Sequence, residues 1–136
     1  MYIDFTICSE NRKLTELKEF FPSSTLLSKG EKLKSGKIID YYEFSFTFEK
    51  KNIVYVDELI SSFKEHCECQ FKNLDKYLQT NLLTSSICIV IKKDEEHPAI
   101  SISNDNLLFL CKLNTCIDFD FIWFMNLSIV IVVIKF

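Results

Sequence analysis

The segment spanning residues 38–48 alternates aromatic and polar side chains, and this pattern constrains the fold more than any other feature of the chain. Its aromatic positions are Tyr42, Phe44, Phe46 and Phe48. The polar positions between them are Glu43, Ser45 and Thr47. Successive side chains of a strand point to opposite faces, so the sequence predicts a strand with one aromatic face. That face has to be covered, and the predicted helices are the only candidates to cover it.

The main amphipathic helix is predicted to begin at residue 56. Its apolar side chains recur at helical spacing: Val56, Leu59, Ile60, Phe63 and Cys67. After a break near Cys69, the helical spacing continues through Phe71, Leu74, Tyr77 and Leu78. An earlier helix is predicted to run from an N-cap at Ser9 to Phe21, where Pro22 cannot continue it. Residues 23–36 are then expected to form a long exposed connection.

Residues 97–124 read as a strand–helix–strand unit. Alternation predicts strands at residues 99–103 and 117–121. Between them, Leu107, Leu110 and Cys111 mark one face of a helix that ends near Asn114, and Leu108 and Phe109 widen that face. Residues 2–8 and 85–91 give two more strands, the latter joined to residue 99 by an antiparallel hairpin. The predicted fold is an α+β domain, order βαβα(α)ββαβ, with helices on one face of a mostly antiparallel sheet.

The apolar tail at residues 122–136 adds one more element. Its β-branched residues, Ile129 to Ile134, favour a C-terminal strand, and a membrane anchor is the less favoured alternative because the apolar run is too short. A strand at the sheet edge would offer unpaired backbone groups to another chain. We expect residues 1–136 to form one domain.

Charge and cysteine usage narrow the class of protein. The net charge of −3 argues against a nucleic-acid partner and favours a basic one, and the mixed run at Lys29, Glu31, Lys32 and Lys34 is interpreted as a solvated face. No basic segment precedes an apolar core at the N-terminus, so the six cysteines are expected to be free thiols in a cytoplasmic protein. Cys8, Cys88 and Cys111 lie in apolar segments, which predicts that they are buried.

Catalytic and metal-binding patterns are weak. His66, Cys67 and Cys69 lack the paired spacing of a zinc site, so neither a metal nor another cofactor is expected. No cysteine or histidine lies in a recognisable catalytic motif, although a small Cys- or Asp-dependent enzyme stays an alternative. Asp118 and Asp120 alternate with apolar residues, which indicates the solvent face of a strand. We therefore expect a protein that is not an enzyme.

An acidic run is the first candidate for a binding surface. Asp94, Glu95 and Glu96 are predicted to form a hairpin turn, either simply solvated or used to steer a basic protein. Other carboxylates could extend that surface: Asp118, Asp120, Asp40 and Glu43.

Residues 2–121 resemble a small bacterial family of α+β domains of unknown function. The resemblance is carried by the Ser28-Lys29-Gly30-Glu31 block and the aromatic strand from Tyr42 to Phe46. Its C-terminal part matches at Pro98, Ile100, Ile102, Ser103, Asn106, Leu107, Leu110, Leu113, Asn114, Ile117, Asp118, Phe119, Asp120 and Phe121. The resemblance implies an immunity protein that guards against a cognate secreted toxin.

The resemblance thus implies a protein that neutralises a bacterial toxin, such as a nuclease of a contact-dependent inhibition system. No membrane contact is expected. The alternatives are a non-catalytic interaction module or a homodimer through the C-terminal strand.

Overall fold

The computed structural model describes residues 1–93, 100–123 and 131–135. Within them the elements follow in chain order as β1 (Tyr2–Ser9), α1 (Leu17–Phe20), β2 (Thr25–Leu27), β3 (Tyr42–Glu49), α2 (Val56–Gln70), α3 (Leu74–Thr80), β4 (Thr84–Lys93), α4 (Asn104–Lys112), β5 (Thr115–Trp123) and β6 (Ile131–Lys135).

The strands form one sheet in the order β2-β3-β1-β4-β5-β6. Neighbouring strands are antiparallel, except that β4 and β5 run parallel. The prediction of an α+β fold with a mostly antiparallel sheet is therefore confirmed. The predicted C-terminal strand is β6, which lies at an edge of the sheet.

One face of the sheet, the core face, carries the aromatic strand residues and the helices. Phe5 lies opposite Phe46 on β3 and opposite Ile87 on β4. The ring of Phe63 on α2 packs 5.5 Å from that of Phe5 and 5.9 Å from that of Phe46. The buried residues of α2 are the five predicted from spacing: Val56, Leu59, Ile60, Phe63 and Cys67. The aromatic face is covered as the sequence requires.

The predicted hairpin between residues 85–91 and 99–103 is wrong. Residues 100–103 form no strand, and β4 pairs instead with β1 and, in parallel, with β5. Parallel neighbours need a crossover connection, and α4 lies in it. The backbone N–H of Ser103 donates to Asp57 Oδ1 at 2.8 Å, so a contact with α2 holds the start of α4. Alternation alone could not foresee this long-range contact.

The first predicted helix is mostly absent, since only Leu17–Phe20 is helical. Leu14, Leu17 and Phe21 are nevertheless buried, as their spacing predicts. Tight i→i+3 bonds close the turns here, such as Leu17 N–H to the Leu14 carbonyl at 3.2 Å. Isolated short helices are marginal, and irregular turns deliver the same three side chains to the core.

The connection at residues 23–36 is not wholly exposed. Thr25–Leu27 forms β2, which pairs with β3, and the side chain of Leu26 packs against the core. Three residues are too few to produce a visible alternation, so the sequence pattern gave no signal for this strand.

Burial of three cysteines was wrongly predicted. Cys8 and Cys111 are exposed and Cys88 is half-buried. Cys8 points to the opposite side of β1 from Ile3, Phe5 and Ile7. Helix α4 is rotated relative to the prediction, because it buries Asn106, Phe109 and Leu110. Its predicted end is confirmed by the left-handed backbone of Asn114, with φ of 50°.

Candidate partner-binding surface

The face of the sheet opposite the core face, here called the open face, is mostly polar. Its residues on the central strands are Tyr2, Asp4, Thr6 and Cys8 on β1, Glu43, Ser45, Thr47 and Glu49 on β3, Thr84, Ser86, Cys88, Val90 and Lys92 on β4, and Cys116, Asp118, Asp120 and Ile122 on β5. Among the described residues, the buried side chains of all the helices pack in the core cluster on the other face. The open face is therefore the broad surface that the described helices leave uncovered.

Three carboxylates surround one cysteine at the centre of this face. Cys88 lies directly between Asp4 on β1 and Asp118 on β5, and Asp120 is the next residue of β5 on the same face. Neighbouring strands are about 4.8 Å apart, so Asp4 and Asp118 are separated by about 10 Å. We refer to Asp4, Asp118 and Asp120 as the acidic row.

The electrostatic effect of the acidic row appears in two neighbouring groups. Burial raises the pKa of the Cys88 thiol, and the charges of Asp120, Asp4 and Asp118 raise it further. Burial also raises the pKa of the Tyr2 hydroxyl, with Asp4 and Asp120 adding to the effect. Both groups stay protonated at neutral pH, because a negative potential disfavours a second anion. A cation would be attracted to the same place.

Two carboxylate oxygens of the acidic row lack donors. The Oδ1 atoms of Asp118 and Asp120 are buried, and neither accepts a hydrogen bond from the part of the chain that the structure describes. Asp4 differs, because its Oδ1 accepts a 2.6 Å hydrogen bond from the Thr47 hydroxyl. A buried acceptor without a donor is costly, so the negative charge of Asp118 and Asp120 is less compensated by the described residues than that of Asp4.

The sequence-predicted residues fall in three places. Asp118 and Asp120 share the open face, half-buried rather than fully solvated. Glu43 shares the face but lies on β3, three strands from β5, or about 14 Å. Asp40 is exposed in the segment before β3. Asp94, Glu95 and Glu96 lie outside the described residues.

Sequence reasoning missed Asp4 and Glu49 as part of this surface. The signal was present, because β1 alternates Ile3, Phe5 and Ile7 with polar residues and so assigns Asp4 to the polar face. What the sequence could not supply is the strand order, which brings β1 within two positions of β5.

The His66–Cys67–Cys69 cluster has a structural explanation. The His66 ring lies 5.2 Å from the ring of Phe48 and 6.0 Å from that of Phe46, and burial lowers its pKa. Burial raises the pKa of Cys67 to about 12, so this thiol is not a nucleophile at neutral pH. In the described part of the chain, no group of three or more His, Cys, Asp or Glu side chains is arranged to hold a metal ion.

No family model matches this chain, and no curated protein or solved structure matches it either. Of the helices in residues 1–93 and 100–123, none combines the length and the apolar character that a membrane crossing requires.

Proposed function

We propose that this chain binds another protein through its open face, and that the partner is a basic bacterial toxin which it neutralises as an immunity protein. The observation that carries the proposal is the acidic row, where Asp118 and Asp120 lie on the open face near Asp4 and their Oδ1 atoms accept no hydrogen bond from the described residues. Carboxylates on the bare face of a sheet need no partner when water solvates them. Asp118 and Asp120 are half-buried, and the negative potential of the acidic row attracts a cation from outside.

The chemistry of the acidic row suits arginine or lysine side chains. Charge-assisted hydrogen bonds from a guanidinium to a carboxylate are short and roughly twice as strong as neutral ones. A nuclease toxin carries such side chains, because its own surface has to attract phosphates. Complementary charge also raises the association rate, so the acidic row would act on both the encounter and the final contact.

The acidic run at Asp94, Glu95 and Glu96 belongs to the same proposal as a second steering element. It follows β4, the strand that carries Cys88 between the carboxylates. Loss of these charges should slow association about tenfold at low salt, since charges that steer a partner act mainly on the encounter.

The test compares the wild-type chain with the double variant Asp118→Asn/Asp120→Asn. Each is used to capture proteins from the native host, and the captured partner is identified by mass spectrometry. Association and dissociation rates are then measured at two ionic strengths. We expect the double variant to associate about tenfold more slowly at low salt and to dissociate faster.

A matched control is Glu65→Gln/Glu68→Gln, which removes the same charge from exposed positions of α2. It should leave both rates close to wild type. Equal binding by the wild type and the Asp118→Asn/Asp120→Asn variant would contradict the proposal.

A second candidate is a homodimer through β6. The specific observation is that β6 lies at one of the two edges of the described sheet and pairs with β5 on one side only. An edge strand presents backbone N–H and C=O groups that a second copy can pair with. Sedimentation equilibrium tests this candidate: a concentration-dependent dimer supports it, and a monomer throughout the concentration range excludes it.

A further inference from the structure

The chain has a second charged surface, of opposite sign, which the open face does not include. Residues 31–39 form a small hairpin, here called the basic hairpin, in which Lys32 pairs with Ile38. Its exposed residues include Lys32, Lys34, Lys37 and Ile38. Residues 29–37 contain four lysines and a single glutamate in a chain whose net charge is −3.

Backbone hydrogen bonds and one buried side chain hold the basic hairpin together. The backbone N–H of Gly30 donates to the carbonyl of Ile39 at 2.7 Å, and the N–H of Ile39 donates to the carbonyl of Glu31 at 2.9 Å. Ile39 is 1% exposed, which anchors the base of the hairpin. At the tip, Gly36 adopts a φ of 85° and its N–H donates to the Leu33 carbonyl. The lysines are therefore displayed on an ordered scaffold.

The three lysines at and beside the tip are not neutralised within the described residues. None of Lys32, Lys34 and Lys37 forms a salt bridge there, where the one ion pair joins Arg12 and Glu16. Two carboxylates flank the three lysines in sequence: Glu31, which accepts a hydrogen bond from the Ser28 N–H, and the exposed Asp40. Neither forms an ion pair with the lysines among the described residues, so their positive charges stay available to a partner.

Ile38 sets this hairpin apart from an ordinary solvated lysine run. It is 64% exposed and stands opposite Lys32 on the two-stranded ribbon. A β-branched apolar side chain gains nothing from water and cannot contact a phosphate. It can enter the interfacial layer of a bilayer while neighbouring lysines stay at the headgroups.

We propose that the basic hairpin docks this chain on the surface of an anionic lipid bilayer. Each lysine near such a surface contributes additively and needs no shape complementarity. A stable protein interface buries about 800 Å² per partner around an apolar centre, whereas Ile38 is the one large apolar side chain exposed on the basic hairpin. A nucleic acid would favour arginine or aromatic side chains, and residues 29–39 contain neither.

This proposal concerns a surface distinct from the open face and does not depend on the proposed function. It departs from the sequence-based expectation of no membrane contact. That expectation rested on the absence of a spanning segment, which peripheral docking does not require.

The experiment measures co-sedimentation of the full chain with vesicles of equal parts phosphatidylcholine and phosphatidylglycerol, and with pure phosphatidylcholine vesicles. We expect salt-sensitive binding to the anionic vesicles only. Lys32→Gln/Lys34→Gln/Lys37→Gln should weaken the partitioning about a hundredfold, since each lysine is worth roughly fivefold. Ile38→Ser should weaken it about tenfold.

The matched control is Lys72→Gln/Lys76→Gln/Lys112→Gln, which removes the same charge from exposed positions elsewhere. It should keep binding close to wild type, and circular dichroism should be unchanged for every variant. Three results would each overturn the proposal: no binding to anionic vesicles at low salt, an equal loss in the control variant, or binding to a duplex RNA oligomer but not to the vesicles.

Discussion

The two faces of the sheet use the same strands for opposite purposes. On the core face, Phe5 and Ile87 are fully buried and face α2. On the open face of the same strands, Asp4 and Cys88 lie beside Asp118 without a described helix above them. Burial therefore dictates which residues occupy the core face. It does not explain why carboxylates collect on the other face.

This difference between the core face and the open face indicates which of them serves in recognition. Like charges that lie close on a sheet surface destabilise it, and Asp118 and Asp120 are about 7 Å apart along one strand. A surface selected for stability alone would alternate the signs of its charges. The acidic row instead places one sign at the centre of the open face, which suits a role in recognition.

The largest expected effect is a difference in thiol reactivity between the buried side and the exposed side of α2. Cys67 and Cys69 belong to the same helix, yet Cys67 is buried and Cys69 is exposed. With its pKa raised to about 12, Cys67 has a thiolate fraction about a thousandfold below that of an ordinary thiol. Iodoacetamide labelling of the native protein, followed by mass spectrometry, should modify Cys69 rapidly and leave Cys67 unmodified.

Denaturant provides the control for this labelling, because unfolding should make both cysteines react equally. Fast labelling of Cys67 in the native protein would mean that α2 does not pack as described, and the contrast between the two faces would then lose its basis.

The sequence predicted the packed half well and the connections poorly. The core-facing residues of β3 and the buried residues of α2 follow from the spacing of apolar residues in the sequence. Side chains on one face recur at every second position of a strand and at every third or fourth position of a helix. The pairing of β4 with β5 depends on where α4 docks, which is set by Asp57 contacting residues 46 and 49 positions away. Such contacts leave no local pattern.

The candidate surface shows the same limit. Alternation correctly predicted that Asp118 and Asp120 share a polar strand face. Their proximity to Asp4 depends on the order of strands in the sheet, and the burial of their Oδ1 atoms without a donor among the described residues depends on tertiary packing, so neither leaves a local sequence pattern. The basic hairpin was interpreted from sequence as a solvated face, because a lysine run gives no sign that Ile38 stands exposed among the charges.

The second prediction concerns the polar contact that holds α4 on α2. Asp57 Oδ1 accepts hydrogen bonds from the Ser103 N–H at 2.8 Å and from the buried Asn106 amide at 2.7 Å. Asp57→Ala removes the acceptor of the Ser103 N–H, whereas the Asn106 amide keeps the residue-57 carbonyl at 3.0 Å and the Ser61 hydroxyl at 2.9 Å. We expect the free energy of unfolding to fall by about 2 kcal/mol, the scale of a hydrogen bond to a charged acceptor. Urea unfolding measures the change, and Glu58→Ala, at the adjacent exposed position, should cost far less.

The loss of stability in Asp57→Ala should also depend on pH. The hydrogen bond from the Ser103 backbone, followed by that from Asn106, lowers the pKa of Asp57 below its unfolded value. A depressed carboxyl pKa stabilises the fold above the unfolded pKa, about 4, and that stability is lost as the pH falls through the folded pKa. The difference between wild type and Asp57→Ala should therefore shrink in acid. A difference that stays constant into strong acid would contradict this role of the carboxylate.

The smallest expected effect tests the comparison of the two faces directly. Asp118→Asn/Asp120→Asn keeps the shape of both side chains and removes two negative charges from the open face. Relief of repulsion within the acidic row should leave the free energy of unfolding unchanged or raise it by about 0.5 kcal/mol. An amide also costs less to bury than a carboxylate, which should add to the gain in stability.

Urea unfolding at low and high salt measures this gain, which should diminish at high salt because salt already screens the repulsion between the carboxylates of the wild type. Glu65→Gln/Glu68→Gln provides the comparison on the helical side, where exposed charges are well solvated and little change is expected. A loss of more than about 1 kcal/mol in the Asp118→Asn/Asp120→Asn variant would mean that the carboxylates hold the sheet together, and the open face would then need no partner to explain them.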